Sequence, residues 1–266
     1  MPNATPFEPP FDPSRIRAVA FDAYGTLFDW HDAEFRVAIT EVLNQQRLEV
    51  PDFEAIFKTW YGVYGRVGPW AHLYPAGWKP GDGERVDREA MVGGPLPTFI
   101  TQWDWWRRQW AETFRVHELS GDPDGAADHL RDALSHLPAY GDARETTDHL
   151  ANAGLRIGLL SNADEDFLQS AVSRNGLRFS VIQSSESLRA YKPHRATFAV
   201  LAERLGVAPD EILYVGDSPY ADVHGATRAG LRTAWVQRSE RPFPDDMPAP
   251  DARIRALAEI GSLLGV

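Results

Sequence analysis

The chain has no cysteine. Disulfide bridges, thiolate metal sites and a cysteine nucleophile are therefore excluded, and cysteine usage says nothing of the redox compartment. Positive charge is also scarce: 27 Lys and Arg stand against 38 Asp and Glu, a formal net charge of −11. A nucleic-acid surface needs basic residues to displace counterions, so this balance argues against a nucleic-acid partner. It leaves room for a small anionic substrate, since a local cationic pocket can sit in a negative protein. No apolar run reaches the ~20 residues of a membrane span. The proline-rich stretch from Met1 to Pro13 lacks the basic region and apolar run of a signal peptide. These absences lead us to expect a cytoplasmic protein with neither a membrane nor a nucleic-acid partner.

What is present is material for a sizeable core. The 266 residues are 43% hydrophobic, enough for one large domain or two modest ones. The apolar run Ile16 to Phe21 ends in Asp22 and a turn at Gly25, and reads as a buried strand feeding a loop. From about Trp30 to Leu137 the pattern is helical and aromatic. Within it, Gly68 to Pro97 is rich in Gly and Pro and reads as an irregular excursion. Trp103, Trp106, Trp110 and Phe114 recur at helical spacing, a stripe that serves packing between helices in one reading and a wall over a site in the other. Beyond Leu137, strands at Arg156 to Leu160, Phe179 to Gln183, Ile212 to Val215 and Arg232 to Val236 alternate with helices at Ala143 to Ala153, Thr197 to Leu205 and Ala221 to Ala229. That alternation predicts an α/β fold, a parallel sheet covered by helices, with the helical stretch inserted after the first strand.

Ligands of open parallel sheets bind beyond the carboxyl ends of the strands. Asp22, Ser161-Asn162, Lys192 and Asp217 fall at or near such ends. A carboxylate at Asp22 can attack an electrophile and form an aspartyl ester or acyl phosphate, or it can be a turn residue. Ser161 and Asn162 offer donors to an anion, or cap a helix. Lys192, before Pro193 at an expected first helical position, can balance a nucleophilic carboxylate or lie on the surface. Asp22 and Asp217, from different strands, repel unless a cation lies between them, and Mg²⁺ suits an oxygen-only site. Asp222 either reaches that metal through water or caps a helix.

Four segments together resemble the signatures of the haloacid dehalogenase-like superfamily. Phe21-Asp22-Ala23-Tyr24-Gly25-Thr26-Leu27 resembles the first, Leu160-Ser161-Asn162 the second, Tyr191-Lys192-Pro193 the third, and Val215-Gly216-Asp217-Ser218 with Asp222 the fourth. The resemblance implies a Rossmann-like core at 15–30 and 138–266, a helical cap at 31–137 and a flexible segment at 1–14. It implies Asp22 as nucleophile, with Tyr24 beside it, and substrate contacts from Thr26, Ser161, Asn162 and Lys192. It further implies Mg²⁺ held by Asp22, the Tyr24 carbonyl, Asp217 and Asp222. Many relatives pair through the cap, so a homodimer is the assembly it suggests.

The pattern is a hybrid. Family phosphatases carry a second Asp two residues after the nucleophile as general acid and base, and this chain has Tyr24 there, as in 2-haloacid dehalogenases, whose halide leaves without a proton. Gly216-Asp217-Ser218, by contrast, is the metal-binding, phosphatase form. The Tyr that dehalogenases often place six residues after the Lys is Phe198 here, and Arg66 matches their substrate-binding Arg poorly. Three readings follow: a Mg²⁺-dependent hydrolase of a small phosphorylated metabolite, a hydrolytic dehalogenase of a short 2-haloacid, and a binding module without activity. Charge balance at Asp22 and Asp217 favours the first.

Overall fold

The computed structural model describes residues 11–74, 87–238, 240 and 242–266. Strand β1 (Ala18–Phe21) is buried along its whole length and lies inside a six-stranded parallel sheet. Its neighbours are β2 (Arg156–Ser161) and β4 (Ile212–Gly216). Strand β3 (Val181–Ser184) lies beyond β2, and β5 (Arg232–Val236) and β6 (Ala252–Ile254) beyond β4, giving the order β3-β2-β1-β4-β5-β6. Near-continuous apolar strands of this kind suit a sheet covered on both faces. The register sets Phe21 beside both Leu159 and Val215. Asp22, Ser161 and Asp217 therefore sit at the same edge of the sheet.

Helices α1 (Asp32–Gln45), α2 (Phe53–Val67), α3 (Arg88–Gly93), α4 (Gln102–Val116) and α5 (Pro123–Ser135) lie between β1 and β2. Their starts are written locally: Asp52, Asp87, Thr101 and Asp122 each accept a hydrogen bond from a first-turn N–H, and Pro123 occupies the first turn of α5. The sheet's covering helices are α6 (Ala143–Asn152), α7 (Glu165–Arg174), α8 (Ser185–Leu188), α9 (Arg195–Leu205), α10 (Gly225–Arg228) and α11 (Glu259–Leu264). The expected α/β class with an inserted helical cap is what the chain forms.

Several expectations need correction. The stretch predicted as one helix from Ala221 to Ala229 is a π-helical turn, Pro219–His224, followed by α10. Pro193 is not a first helical residue: α9 begins at Arg195, capped by His194. The excursion from Gly68 to Pro97 contains a 3₁₀ turn at Ala71–Leu73 and helix α3, and its part at 75–86 lies outside the described residues, as does 1–10 of the N-terminal segment. Strand β6 and helix α11 lie beyond the last element read from the sequence.

The tryptophan stripe serves packing. Trp106, Trp110 and Phe114 are buried in the main apolar cluster, and Trp106 meets Phe167 of α7 with ring centres 5.5 Å apart. A polar tether supports the same junction. Buried Asp164 accepts hydrogen bonds from the backbone N–H groups of Gln102 (2.7 Å) and Trp103 (2.9 Å), satisfying two orphan donors at the start of α4. Burial pushes the Asp164 carboxyl up to about 6, against the pull of those two donors.

Asp164→Ala should lower stability by about 1–3 kcal/mol, because it strands two buried donors. Urea unfolding at pH 7 measures it, and a loss below about 0.5 kcal/mol would mean that water replaces the tether. The carboxyl binds its proton more tightly folded than unfolded. The proton-linked part of its contribution is thus fully present below its ordinary value of 3.8 and is lost as pH rises through about 6, leaving at pH 7 the hydrogen bonds from Gln102 and Trp103. Asp164→Asn should remove that slope from the pH dependence of the urea midpoint.

Candidate active site

The loop after β1 starts with Asp22, which is buried. Its backbone N–H donates to the Val215 carbonyl (2.9 Å), fastening the loop to β4. Gly25 has φ of +90°, and a Cβ there would stand 2.6 Å from Asp217 Oδ2. Glycine thus serves both the turn and the close approach of the Asp217 carboxylate. Gly216 is constrained in the same way, since its Cβ would fall 2.3 Å from Asp222 Cγ.

Lys192 is the centre of the site. Its Nζ donates to Asp22 Oδ1 (2.5 Å), Asp222 Oδ1 (2.7 Å) and the Tyr214 hydroxyl (3.0 Å), which accounts for all three ammonium protons. The Tyr214 hydroxyl in turn donates to the Leu160 carbonyl (3.0 Å). Asn162 holds the backbone of Lys192 from both sides: its Oδ1 accepts from the Lys192 N–H (2.8 Å) and its Nδ2 donates to the Lys192 carbonyl (3.0 Å). The capping alternative for Ser161 and Asn162 does not apply, because Asp164 is the N-cap of α7. Asp222 is no helix cap either. It is buried between Lys192 and the backbone N–H of Ser218 (2.9 Å).

One carboxylate oxygen from each of Asp22, Asp217 and Asp222 lies within 4.8 Å of the others. Three carboxyls thus face one ammonium. Burial raises Asp22 to about 6, Lys192 opposes that rise and Asp222 adds to it. Asp217 is raised well above its ordinary value by burial, then by Asp22 and Asp222. Burial works against the Lys192 charge, but Asp22 and Asp222 outweigh it and hold the ammonium well above its ordinary value. The donor set is oxygen only, and three carboxylates against one ammonium leave it two positive charges short, which fits Mg²⁺.

A cavity of about 710 Å³ brings together Asp22, Tyr24, Ser161, Asn162, Lys192, Asp217 and Asp222. Thr26 is not among them; its side chain is fully buried. The Tyr24 ring packs against Phe28 and Phe167 (centres 5.4 and 5.8 Å apart), its hydroxyl has no hydrogen-bond partner among the described residues, and burial with the Asp22 charge holds its pKa well above its ordinary value. Tyr24 thus keeps its proton and cannot stand in for the acid that an Asp would supply. Among the described residues no arginine lines this cavity; Arg66 sits 3.9 Å from Glu112.

Three participants were not singled out from the sequence. Tyr214 reads as one more apolar residue of a strand, yet it supplies a hydroxyl to Lys192 where Phe198 has none; the two rings meet edge-on, 5.1 Å apart. His31, the N-cap of α1, lines the cavity and is hydrogen-bonded to the Tyr140 hydroxyl. Arg238 stacks 3.9 Å over the Tyr140 ring, pairs with Asp142 (2.9 Å) and donates to the Thr26 carbonyl (3.2 Å), bracing the loop after β1. No local pattern marks them, since Lys192 and Leu160 lie 22 and 54 residues from Tyr214, Tyr140 lies 109 from His31, and Asp142 and Thr26 lie 96 and 212 from Arg238.

Known proteins resemble the chain along most of its length. Residues 16–230 match the family described as haloacid dehalogenase-like hydrolase. The chain is 28% identical to (S)-2-haloacid dehalogenase 4A of Burkholderia cepacia over 94% of its own length and 95% of that protein's. It is 33% identical to the phosphoserine phosphatase of Thermus thermophilus over 57% of its length and 65% of that protein's. Among solved structures, the L-2-haloacid dehalogenase of Xanthobacter autotrophicus with chloropropionic acid covalently bound superposes with a TM-score of 0.68 at 25% identity, covering 94% of this chain and 98% of that one.

Lys192→Met should destabilise the protein by about 3–5 kcal/mol, the consequence of leaving buried carboxylates without their partner. Tyr214→Phe should lose about 1–2 kcal/mol. Both are read from urea unfolding in EDTA. A loss under about 1 kcal/mol for Lys192→Met would mean that Asp22 and Asp222 are not both charged in the folded protein.

Proposed function

The chain belongs to the haloacid dehalogenase-like hydrolase family, and from that premise we propose that it is a Mg²⁺-dependent hydrolase of a small phosphate monoester whose leaving group departs without a proton. The observation that carries this reading is the placement of Asp217, a third carboxyl within 4.8 Å of Asp22 and Asp222 beside a single ammonium. Asp22, Asp217, Asp222 and the Tyr24 carbonyl are the residues that would hold the ion. Bound there, it would offset the carboxylate charge and withdraw charge from a phosphoryl oxygen.

The chain's own groups divide the rest of the work. The free oxygen of Asp22 attacks phosphorus; the bond to the leaving oxygen breaks, and that oxygen leaves with the electron pair. Lys192 fixes the other oxygen of Asp22 and adds positive charge where the phosphoryl group carries negative charge. Ser161 and Asn162 face the same cavity and bind the phosphoryl oxygens. Water then cleaves the aspartyl phosphate, its proton passes to the phosphate product, and the Asp22 carboxylate is restored. Tyr24 gives no proton to the leaving group, so an acidic alcohol such as a phenol suits the site better than an alkyl alcohol.

A second reading, hydrolytic dehalogenation of a short 2-haloacid, is favoured by the same Tyr24 and by the near full-length likeness to a 2-haloacid dehalogenase. Here Asp22 attacks carbon, halide departs with the electron pair, and water hydrolyses the ester. Without a cation, Asp217 would keep its proton, the direction in which its surroundings already push it.

In a phosphate-release assay, aryl phosphates should turn over with Mg²⁺ and not in EDTA, and Asp22→Asn and Asp217→Asn should each abolish turnover. Alkyl phosphates should run slower than aryl by about 10²–10⁴-fold, the usual worth of the missing acid. Chloride release from 2-chloropropionate unaffected by EDTA, with no phosphate released from any ester, would replace the first reading by the second.

A further inference from the structure

A second chamber, of about 270 Å³, opens beside the catalytic cavity. Tyr64, Asn162, Lys192, Ser218 and Ala221 line both, so the two adjoin at the lysine that holds the nucleophile. Apart from that border its described lining is largely apolar, walled by Trp70, Tyr74, Met91 and Trp105 from the helical insertion and Tyr220 from the π-helical turn after β4. Its walls are rigidly mounted. Trp105 stacks on Tyr64 (ring centres 4.0 Å apart, planes at 17°) and donates to the Tyr64 carbonyl (2.7 Å). It also meets Tyr191 edge-on at 5.4 Å, and Tyr191 donates to the Ile100 carbonyl (2.9 Å). The Tyr220 hydroxyl bonds to the Arg88 carbonyl (3.3 Å), so the wall from the sheet side is tied to α3.

We propose that this chamber seats an aryl ring of the substrate, next to the group that Asp22 attacks. The assignment rests on the hydrolase reading above for the reacting group, and on the chamber alone for the ring. Size decides the class. A cavity of about 150 Å³ already accepts benzene, so about 270 Å³ holds one substituted ring, whereas a three-carbon acid would leave most of it empty. The chemistry of the walls agrees: flat aromatic faces and a thioether favour a ring over a polar chain. A ring placed here also answers the want of an acid, because a phenolate leaves without protonation.

The ring site is tested without its reaction. 4-Fluorophenol titrated into the wild-type protein should give saturable ¹⁹F line broadening, and Met91→Trp (which fills the chamber) and Trp70→Ala (which removes a wall) should each weaken binding by roughly tenfold or more. Benzylphosphonate should bind the wild type with Mg²⁺ about 10–10²-fold more tightly than methylphosphonate, and that ratio should fall toward one in Met91→Trp. Because each ratio is taken within one variant, a general loss of folding does not imitate the effect; thermal melts check it independently. Binding of 4-fluorophenol that is absent, or indifferent to both substitutions, overturns the proposal even if phosphate esters are hydrolysed. Ring binding that responds to both substitutions, with no phosphate ester turned over, upholds the ring site and removes the phosphatase reading instead.

Discussion

The structure at the sheet edge depends on one buried ammonium. Lys192 lies some 170 residues from Asp22 and 30 from Asp222, and its Nζ draws both carboxylates to within 2.7 Å. A charge this deep is tolerated only where partners satisfy it fully. The rest of the site can be understood as meeting that demand. Tyr214 takes the third proton, Asn162 clamps the backbone of the lysine itself, and Gly216 leaves room for Asp222 beside its own strand. One oxygen of Asp22 is thereby fixed, which leaves the other for the attack proposed above. Asp217 stands outside this arrangement. It approaches the two carboxylates without a hydrogen bond to Lys192, so of the three it is the carboxyl that the ammonium answers least.

How much of this could be read from the sequence follows from how each feature is encoded. Strand ends are local events: an apolar run stops and a polar residue follows. For that reason Asp22, Ser161, Asn162 and Asp217 were legible, and the parallel order placed them together, while Lys192, in the connection between α8 and α9, was carried by the Tyr191-Lys192-Pro193 signature. The helix starts within 31–137 carry local marks at Asp52, Thr101 and Pro123, but the sequence was read there only as a helical stretch without boundaries. Contacts between distant segments were not. Tyr214 has the pattern of a core residue, and its hydroxyl acquires meaning only when Leu160 and Lys192 arrive from two other segments. Trp105 was hidden by its neighbours. The stripe at 106, 110 and 114 drew attention, while the residue one position away turns to a different face and lines the smaller chamber. Thr26, named within the first signature, proved to be buried away from the cavity, because the turn that presents Asp22 points it inward.

The two departures from the family patterns become compatible once they are referred to the leaving group. An Asp two residues after the nucleophile would deliver a proton there. Tyr24 instead buries its ring between Phe28 and Phe167 and holds its proton too tightly to give up. That loss matters only for a leaving group that needs protonating. Halides and phenolates do not, and so Tyr24 alone does not choose between carbon and phosphorus as the centre attacked. In the function proposed above, Asp217 makes that choice. A cation beside Asp22 draws charge from its oxygen, a handicap in displacement at carbon and a help at a phosphoryl group that itself carries negative charge. An acid-free site with a third carboxyl is therefore consistent in chemistry when the ester oxygen belongs to an acidic alcohol, and the aromatic chamber bordering Lys192 is where the body of such an alcohol fits.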